Sequence, residues 1–313
     1  ESCCYEIRNC QMIPRNRAIM FSIQRFSNII LICFAVFLGV IFPKFGSQIQ
    51  PLVVGLVIFL IYGLLRGFQP DEVMKSSNLI LIFLSFGFSY FLLPVAGGYF
   101  IQSFFDDKIF IGFVLLLIAP TTAVSAVWTR FSEGDEQLAT SITVGSVILS
   151  PVILPILLTL ILGSQTSVPV VGILIELLTV IVGGAILTII VPSSIVSKNN
   201  ITHGSRIALF AIIYSTTAQV GFTGFAITDL LKISSGSIGL FIFGFSVFFI
   251  IDTHAKISQQ QSTALFFSSN MKNLGIALLV SGSMYPEPIV ITTIVTYFLI
   301  QQVGSAIIAD FLS

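Results

Sequence analysis

Long apolar runs, each long enough to cross a lipid bilayer, recur along the whole chain and are separated by short polar loops. A helix needs about 20 residues to cross the hydrocarbon core, and longer runs allow tilt or interruption. The alternating segments of a transmembrane barrel are absent, so helices are the structure that can satisfy the backbone in lipid. The pattern predicts an all-α membrane protein with about ten transmembrane helices, at about 26–43, 48–65, 77–101, 109–131, 136–162, 168–191, 205–227, 236–252, 259–283 and 288–312.

The composition excludes a soluble protein and gives no sign of catalysis. Only 9% of the residues are charged and 55% are hydrophobic, whereas soluble domains carry about 25% charged residues. The formal net charge is zero, so no basic surface points to nucleic acid. Phosphate-binding, nucleophile-elbow and zinc-protease motifs are absent, so neither an enzyme nor a cofactor is expected. The expected partner is the lipid bilayer, while the oligomeric state stays open.

Lysine and arginine residues are distributed unevenly between the two sides that ten spans would define. The cytoplasmic side of a membrane protein carries the excess of these residues. Ten of them fall on the side of the N-terminus: Arg8, Arg15, Arg17, Arg25, Arg66, Lys75, Arg130, Lys198, Arg206 and Lys256. Three fall on the other side: Lys44, Lys108 and Lys232. The asymmetry predicts a multi-pass membrane protein with both termini in the cytoplasm, including a tail at residues 1–25.

The two halves of the chain, 26–163 and 168–313, resemble each other and are interpreted as two five-helix repeats. The fourth span of each half is interrupted midway by polar residues. Because each half holds an odd number of spans, the repeats must be inverted with respect to each other. Paired broken helices in an inverted repeat are typical of transporter binding sites near the bilayer midplane. The interruptions contain Thr121, Thr122, Ser125 and Thr129 in the first half and Ser268, Ser269, Asn270, Lys272 and Asn273 in the second.

Broken helices expose backbone groups that can bind a solute. Free carbonyls and hydroxyls can hold a cation, and free N–H groups can hold a carboxylate. The alternative for any single Ser or Thr is that its hydroxyl only joins packed helices. The sequence therefore favours a secondary transporter that works by alternating access. A channel-like protein or a non-transporting sensory protein is the alternative, and a membrane enzyme comes third.

The motifs in these spans resemble those of the bile acid:sodium symporter superfamily. The stretch Ala119–Ser125, followed by Gly134-Asp135, is similar to that family's broken fourth helix, and Ser268–Ala277 is similar to its second broken helix. The third-span segment Phe91–Pro94 resembles a further signature of the family. The resemblance covers about 26–313. It implies a panel domain made of the first, second, sixth and seventh spans, beside a six-helix core in which the broken helices cross.

The resemblance also implies a sodium site, of which this chain retains only a part. In sodium-coupled members the ligands include an Asn on the fourth span, a Ser and a Thr on the fifth, a Glu and a Gln on the ninth, and a Gln on the third. The residues at these places here are, in the same order, Ala126, Ala139, Thr143, Ser268, Lys272 and Ser89. A hard cation favours several oxygen ligands, preferably with a carboxylate among them. No metal ion is therefore predicted, and transport could be coupled to sodium, to protons or to neither.

Lys272 is singled out because a charge inside the membrane is costly and usually functional. Its ammonium would project toward the place where relatives hold sodium, so one hypothesis makes it a tethered substitute for that cation. A buried lysine also exchanges its proton readily, and Lys272 could then couple transport to protons. Two further alternatives are direct attraction of an anionic substrate and snorkelling toward an interface.

Several polar residues could line a substrate cavity on the panel side. Glu176 lies inside the sixth span, where it could face that cavity or sit near the outer interface. The seventh span adds Ser215, Thr216, Thr217 and Gln219. A cavity of this kind, together with the broken helices, predicts a carrier for a small organic anion.

The fourth span is also similar to that of arsenite-efflux permeases of the same superfamily. The similarity rests on the Ala-Pro-x-Thr-Ala pattern and on Val127-Trp128-Thr129. Those permeases place a Cys where this chain has Thr121 and a Glu where it has Asn273. Because a soft thiolate is the natural ligand for arsenic, arsenite is not the expected substrate.

Overall fold

The computed structural model describes residues 30–66, 68, 76–163, 168–191, 196–220, 227–254 and 257–312. The predicted tail at 1–25 lies outside the described residues. Within them the structure is helical and has no β-strand. Its helices are α1 (Ile30–Ile41), α2 (Pro43–Ser47), α3 (Val53–Arg66), α4 (Ser76–Phe86), α5 (Leu93–Gln102), α6 (Asp107–Leu117), α7 (Val124–Phe131), α8 (Glu136–Leu162), α9 (Val170–Ile190), α10 (Lys198–Val220), α11 (Ile227–His254), α12 (Gln259–Asn270), α13 (Leu274–Met284) and α14 (Pro288–Leu312).

Six stretches of helix within the described residues are long and apolar enough to cross a membrane. They are Pro43–Arg66, Leu79–Tyr99, Glu136–Leu162, Val170–Ile190, Ile227–Ile250 and Pro288–Ala309. Each overlaps a span predicted from the sequence. The shorter apolar helix α1 overlaps the first predicted span, and the fourth and ninth are each divided into two shorter helices. The all-helical membrane fold is confirmed, while the total of ten spans stays a prediction.

Two helices begin earlier than the hydropathy pattern predicts. The span predicted at 236–252 belongs to α11, which starts at Ile227, and the one predicted at 205–227 belongs to α10, which starts at Lys198. The added first turns contain polar residues such as Asp229 and Lys232, which lower the hydropathy without interrupting a helix. Polar first turns of this kind fit the ends of membrane helices, where side chains meet water or headgroups.

The helices α1, α2, α3, α9 and α10 pack together, and we call them the panel group. The ring centres of Phe34 on α1 and Phe210 on α10 lie 6.0 Å apart. The helix α3 contacts α9 and α10, and α2 contacts α10. Glycine permits the close approach of α9 to α3, since a Cβ on Gly184 would lie 2.8 Å from the Cβ of Ile61. Small residues at such contacts are the usual means of packing helices in lipid.

The remaining helices form a second cluster, which we call the core group. The helix α14 packs against α6 and α11, while α7 and α12 pack against each other and against α8. The indole N–H of the buried Trp128 on α7 donates to Gln302 on α14 at 3.1 Å. The panel group meets the core group where α9 contacts α8 and where α13 contacts α3 and α10.

The segment between α7 and α8 closes one helix and caps the next. The N–H of Gly134 donates to the carbonyl of Thr129 at 2.8 Å. The carboxylate of Asp135 then accepts from the N–H of Leu138 at 2.9 Å, which caps α8. Glycine at a helix C-terminus and Asp at an N-cap satisfy the backbone groups that a helix end leaves free. The backbone at 133–134 thus closes α7, with Glu133 rather than Gly134 in the left-handed conformation, and Asp135 starts α8.

Candidate functional site

The two interrupted helices meet at their breaks. The N–H of Thr122 donates to the carbonyl of Met271 at 3.2 Å, and the N–H of Asn273 donates to the carbonyl of Pro120 at 2.8 Å. These bonds pair the two extended segments in antiparallel fashion, with Thr121 opposite Lys272. Each break thus satisfies backbone groups that the other leaves free, as buried backbone in a membrane requires.

Local sequence explains why both helices stop here. Pro120 has no N–H to continue the hydrogen bonding of α6, which ends at Leu117. On the other chain segment, Met271 has extended backbone angles, and the side chain of Asn273 accepts from the N–H of Ile276 at 3.2 Å to start α13. An Asn in this position is one of the strongest helix starts.

We call the paired segments around Thr121 and Lys272 the crossing. Buried hydroxyls join it to the helices around it. The hydroxyl of Thr121 donates to the carbonyl of Ser268 at 2.7 Å. The N–H of Thr121 donates to the hydroxyl of Ser146 on α8 at 3.0 Å, and Ser146 donates in turn to the carbonyl of Thr143 at 2.8 Å. All four residues are fully buried. The first break is therefore fixed both to the second break and to the fifth predicted span.

A second set of hydroxyls lies one turn along α7. The hydroxyl oxygens of Ser125 and Thr143 are 3.1 Å apart, and that of Thr129 donates to the carbonyl of Ser125 at 2.9 Å. Thr143 also donates to the carbonyl of Ala139 at 2.9 Å. These oxygens already have protein partners, and the set contains no carboxylate.

The side chain of Lys272 extends from the crossing toward the third predicted span, where its ammonium donates hydrogen bonds to Ser89. Its ammonium nitrogen lies 2.7 Å from the carbonyl oxygen of Ser89 and 2.7 Å from the hydroxyl oxygen of the same residue. It also lies 5.5 Å from the ring centre of Tyr90. Lys272 is fully buried, and no acidic side chain among the described residues forms an ion pair with it. A cation in this position is held by neutral oxygens and an aromatic face.

The carbonyl of Ser89 is available because the helix register changes at this point. Between α4 and α5 the segment Gly87–Leu92 is a π-helix, in which each N–H reaches back five residues rather than four. The N–H of Leu93 accordingly donates to Phe88 and not to Ser89. The next candidate donor for Ser89 would be residue 94, which is Pro94 and has no N–H. The register and the proline together leave a backbone acceptor for Lys272.

The side chains of the three residues before the second break have contacts that do not involve Lys272. The hydroxyl of Ser269 lies 2.8 Å from that of Ser85, and both line an apolar cavity of about 530 Å³. The amide of Asn270 donates to the carbonyl of Phe266 at 3.0 Å. The hydroxyl of Ser268 is buried and has no hydrogen-bond partner among the described residues.

A larger cavity of about 680 Å³ lies between the panel group and the core group. Its lining includes Glu176 on α9, Thr216 on α10, and Leu278 and Ser283 on α13. The carboxylate of Glu176 accepts from the hydroxyl of Ser283 at 2.9 Å, so it faces the core group across this space. Leu278 lies five residues after Asn273, which is about 7.5 Å along a helix from the crossing.

The structure divides the residues predicted for the site into two sets. The set at the crossing comprises Ser89, Thr121, Thr122, Ser125, Thr129, Thr143, Ser268, Ser269, Asn270, Lys272 and Asn273. In the other set, Glu176 and Thr216 line the larger cavity, while Ser215 donates to Gln50 at 3.2 Å and Thr217 is buried. The side chain of Gln219 lies outside the described part of the chain.

Sequence reasoning missed several residues in these places. Ser146 and Tyr90 take part in the crossing, and the hydroxyl of Tyr90 donates to the carbonyl of Ser146 at 2.8 Å. The spacing of Ser146 three residues after Thr143 puts both on one helix face, which is a signal that could have found it. Lys44 and Ser283 line the larger cavity. Their positions near predicted span ends gave no such signal.

Comparison with known proteins gives the family. The sequence profile of the SBF-like CPA transporter family matches residues 25–313. The chain is also 23% identical over 299 aligned residues to the "Uncharacterized protein YbaS" of Bacillus subtilis (strain 168). The aligned region covers 87% of this chain and 92% of that protein. Neither match carries the similarity to arsenite-efflux permeases that the fourth span suggested. With its apolar helices and a family match over almost its whole length, this multi-pass membrane protein belongs to the SBF-like CPA transporter family.

Proposed function

We propose that the chain is a secondary carrier that moves a small organic anion by alternating access. The observation that carries the proposal is the antiparallel pairing of two helix breaks at Thr121 and Lys272, beside a cavity between two groups of helices. A carrier needs a fixed site that two bodies can expose to either side in turn. The proposal includes ten spans in two inverted repeats, with the panel group rocking against the core group.

In this proposal Lys272 takes the place of a bound cation. Its ammonium is within hydrogen-bonding distance of two oxygens of Ser89 and lines neither of the two cavities described above. That position supports a tethered cation within the core group better than direct contact with a substrate. Snorkelling is disfavoured because the side chain is fully buried. Coupling would then not require sodium.

A thermal-shift measurement tests the sodium question first. A bound ion stabilises a folded protein by RT ln(1 + [L]/Kd), about 2.7 kcal/mol at a hundredfold excess over Kd. We expect the same melting temperature in NaCl and in KCl at matched ionic strength. A rise specific to sodium would show that a cation site exists and would remove the tethered-lysine hypothesis.

Replacing Lys272 tests its role in transport. Lys272→Met keeps the length of the side chain and removes the charge. We therefore expect uptake of the transported anion into proteoliposomes to fall about tenfold or more. The matched control is Lys108→Met, which removes an exposed lysine paired with Glu287 at 2.6 Å and should leave uptake unchanged. Uptake by Lys272→Met with wild-type rate and wild-type pH dependence would exclude the lysine from the mechanism.

Counterflow distinguishes a carrier from the channel-like alternative. Proteoliposomes loaded with unlabelled substrate should transiently accumulate labelled substrate above its outside concentration, because the unlabelled substrate competes for the inward-facing site and slows exit of the label. A channel would only equilibrate the label, and a sensory protein would not move it. Either of those results would refute the proposed function.

Thiol labelling tests the proposed orientation. In a background without native cysteines, Asp107→Cys and Glu133→Cys place single thiols at exposed sites at opposite ends of the interrupted fourth span. If both termini are cytoplasmic, an impermeant maleimide added to intact cells should label position 107 and should label position 133 only after permeabilisation. The reverse pattern would invert the topology.

A further inference from the structure

The cavity between the panel and core groups carries two opposite charges. Its lining includes Lys44 on α2 and Glu176 on α9, and no other charged residue lines it within the described part of the chain. The rest of the lining is uncharged, with polar residues such as Ser283 and apolar residues such as Val53, Leu278 and Ile291. The cavity is therefore neutral as a whole but has a positive and a negative pole.

Neither charge is neutralised by the other. Lys44 forms no ion pair with an acidic side chain of the described residues, and from the same residues Glu176 accepts a hydrogen bond only from the neutral Ser283. The nearby Glu287, by contrast, is paired with Lys108 at 2.6 Å. A half-buried carboxylate without a cationic partner is costly, since a neutral hydroxyl compensates less than a positive charge does.

We propose that the ligand of this cavity is a small zwitterion, of the amino-acid type, with an apolar side chain. Its ammonium would meet Glu176, its anionic group would meet Lys44, and the apolar walls at Val53, Leu278 and Ile291 would cover its side chain. A simple anion would leave the half-buried Glu176 uncompensated, and a simple amine would gain nothing from the exposed ammonium of Lys44. The inference rests on the proposed carrier and changes its ligand from a simple organic anion to a carboxylate-bearing zwitterion of no net charge.

Matched sets of ligands test the inference by binding to the purified full-length protein. Each set contains an amino acid, the acid that lacks its amino group and the amine that lacks its carboxylate, for example leucine, 4-methylpentanoate and 3-methylbutylamine. Sets built on all the apolar amino acids are compared by thermal shift and calorimetry. At least one amino acid should bind about tenfold or more tightly than both of its partners.

Two variants test the two charged residues of the cavity, and a third is the control. Glu176→Gln should weaken binding of that amino acid about tenfold and leave binding of the matching acid unchanged or stronger. Lys44→Gln should weaken both the amino acid and the acid. The control Asp106→Asn removes a carboxylate that faces Lys232 at 3.5 Å and does not line the cavity, so it should change neither.

The results separate this inference from the proposed function. Equal binding of acids and amino acids, or no binding by any zwitterion, overturns the inference. Loss of selectivity in Asp106→Asn but not in Glu176→Gln overturns it as well. Uptake of a plain anion into proteoliposomes would leave the carrier in place while refuting the zwitterion, whereas selective zwitterion binding without uptake would refute the carrier alone.

Discussion

At the scale of single residues, Pro94 determines what Lys272 can bind. The π-helical segment and the missing N–H of Pro94 leave the carbonyl of Ser89 without a helical partner, and the ammonium lies 2.7 Å from it. Pro94→Ala would supply an N–H five residues after Ser89 that competes with Lys272. We expect uptake to fall about tenfold while the melting temperature stays equal or rises, because proline inside a helix costs about 3 kcal/mol.

A second buried proline provides the control for that prediction. Pro155 lies inside α8, nine residues after Ser146, which is about 13.5 Å farther along the helix. Pro155→Ala should have a comparable effect on the melting temperature and should leave uptake unchanged. Equal loss of uptake in both variants would mean that helix geometry in general, rather than the Ser89 carbonyl, matters for transport.

The residues of the crossing were predictable to the extent that they break a pattern. Lys272 is a charge within an apolar run, and Thr121 follows a proline in another, so both were identified from the sequence. The pairing of Lys272 with the Ser89 backbone was not, because a π-helical register depends on packing and leaves no clear pattern. Ser146 was missed because a serine in a membrane helix is usually a packing residue.

At the scale of helices, the close contact of α6 with α14 depends on Gly112. A Cβ at this position would lie 2.6 Å from the Cβ of Thr293 and 2.8 Å from the carbonyl oxygen of Val290. Backbone atoms and a β-branched side chain cannot move aside easily. Gly112→Ala should therefore destabilise the protein by about 1–3 kcal/mol, measured by thermal unfolding in detergent.

The matched control lies on α11. A Cβ on Gly239 would meet nothing within 4 Å. Gly239→Ala should be neutral or should stabilise the protein by up to about 1 kcal/mol, since Ala favours a helix over Gly. Equal lowering of the melting temperature by both variants would show that Gly112 does not determine the distance between α6 and α14.

The presence of each membrane helix could be predicted from the length of an apolar run. The residues at which helices begin and end were harder to predict. The starts of α10 and α11 lie in polar sequence, and hydrogen bonding carries the helix through residues that hydropathy excludes. The two interruptions were located correctly from Pro120 and from the polar run before Asn273. Their antiparallel pairing could not be derived from the residues alone, since it depends on contacts across about 150 residues of sequence.

At the scale of the whole molecule, the proposed mechanism requires the panel group to move relative to the core group. The hydrogen bond of 2.9 Å between Glu176 and Ser283 joins α9 to α13 across the cavity, so it links one group to the other. Such a bond would have to break when the two groups separate or slide. A covalent link at this place should therefore stop transport, whereas a link within one group should not.

Cross-linking turns this requirement into a measurement. In a background without native cysteines, Glu176→Cys with Ser283→Cys, joined by a short reducible thiol cross-linker, should lose the uptake that the unlinked double variant retains and should return to that level after reduction. Ile58→Cys with Gly183→Cys is the control, because a Cβ on Gly183 would lie 3.0–3.2 Å from side-chain atoms of Ile58 and both positions belong to the panel group. Equal uptake by the linked and the unlinked double variant would show that α9 and α13 keep one arrangement throughout the cycle, and the moving boundary would then have to lie elsewhere in the molecule.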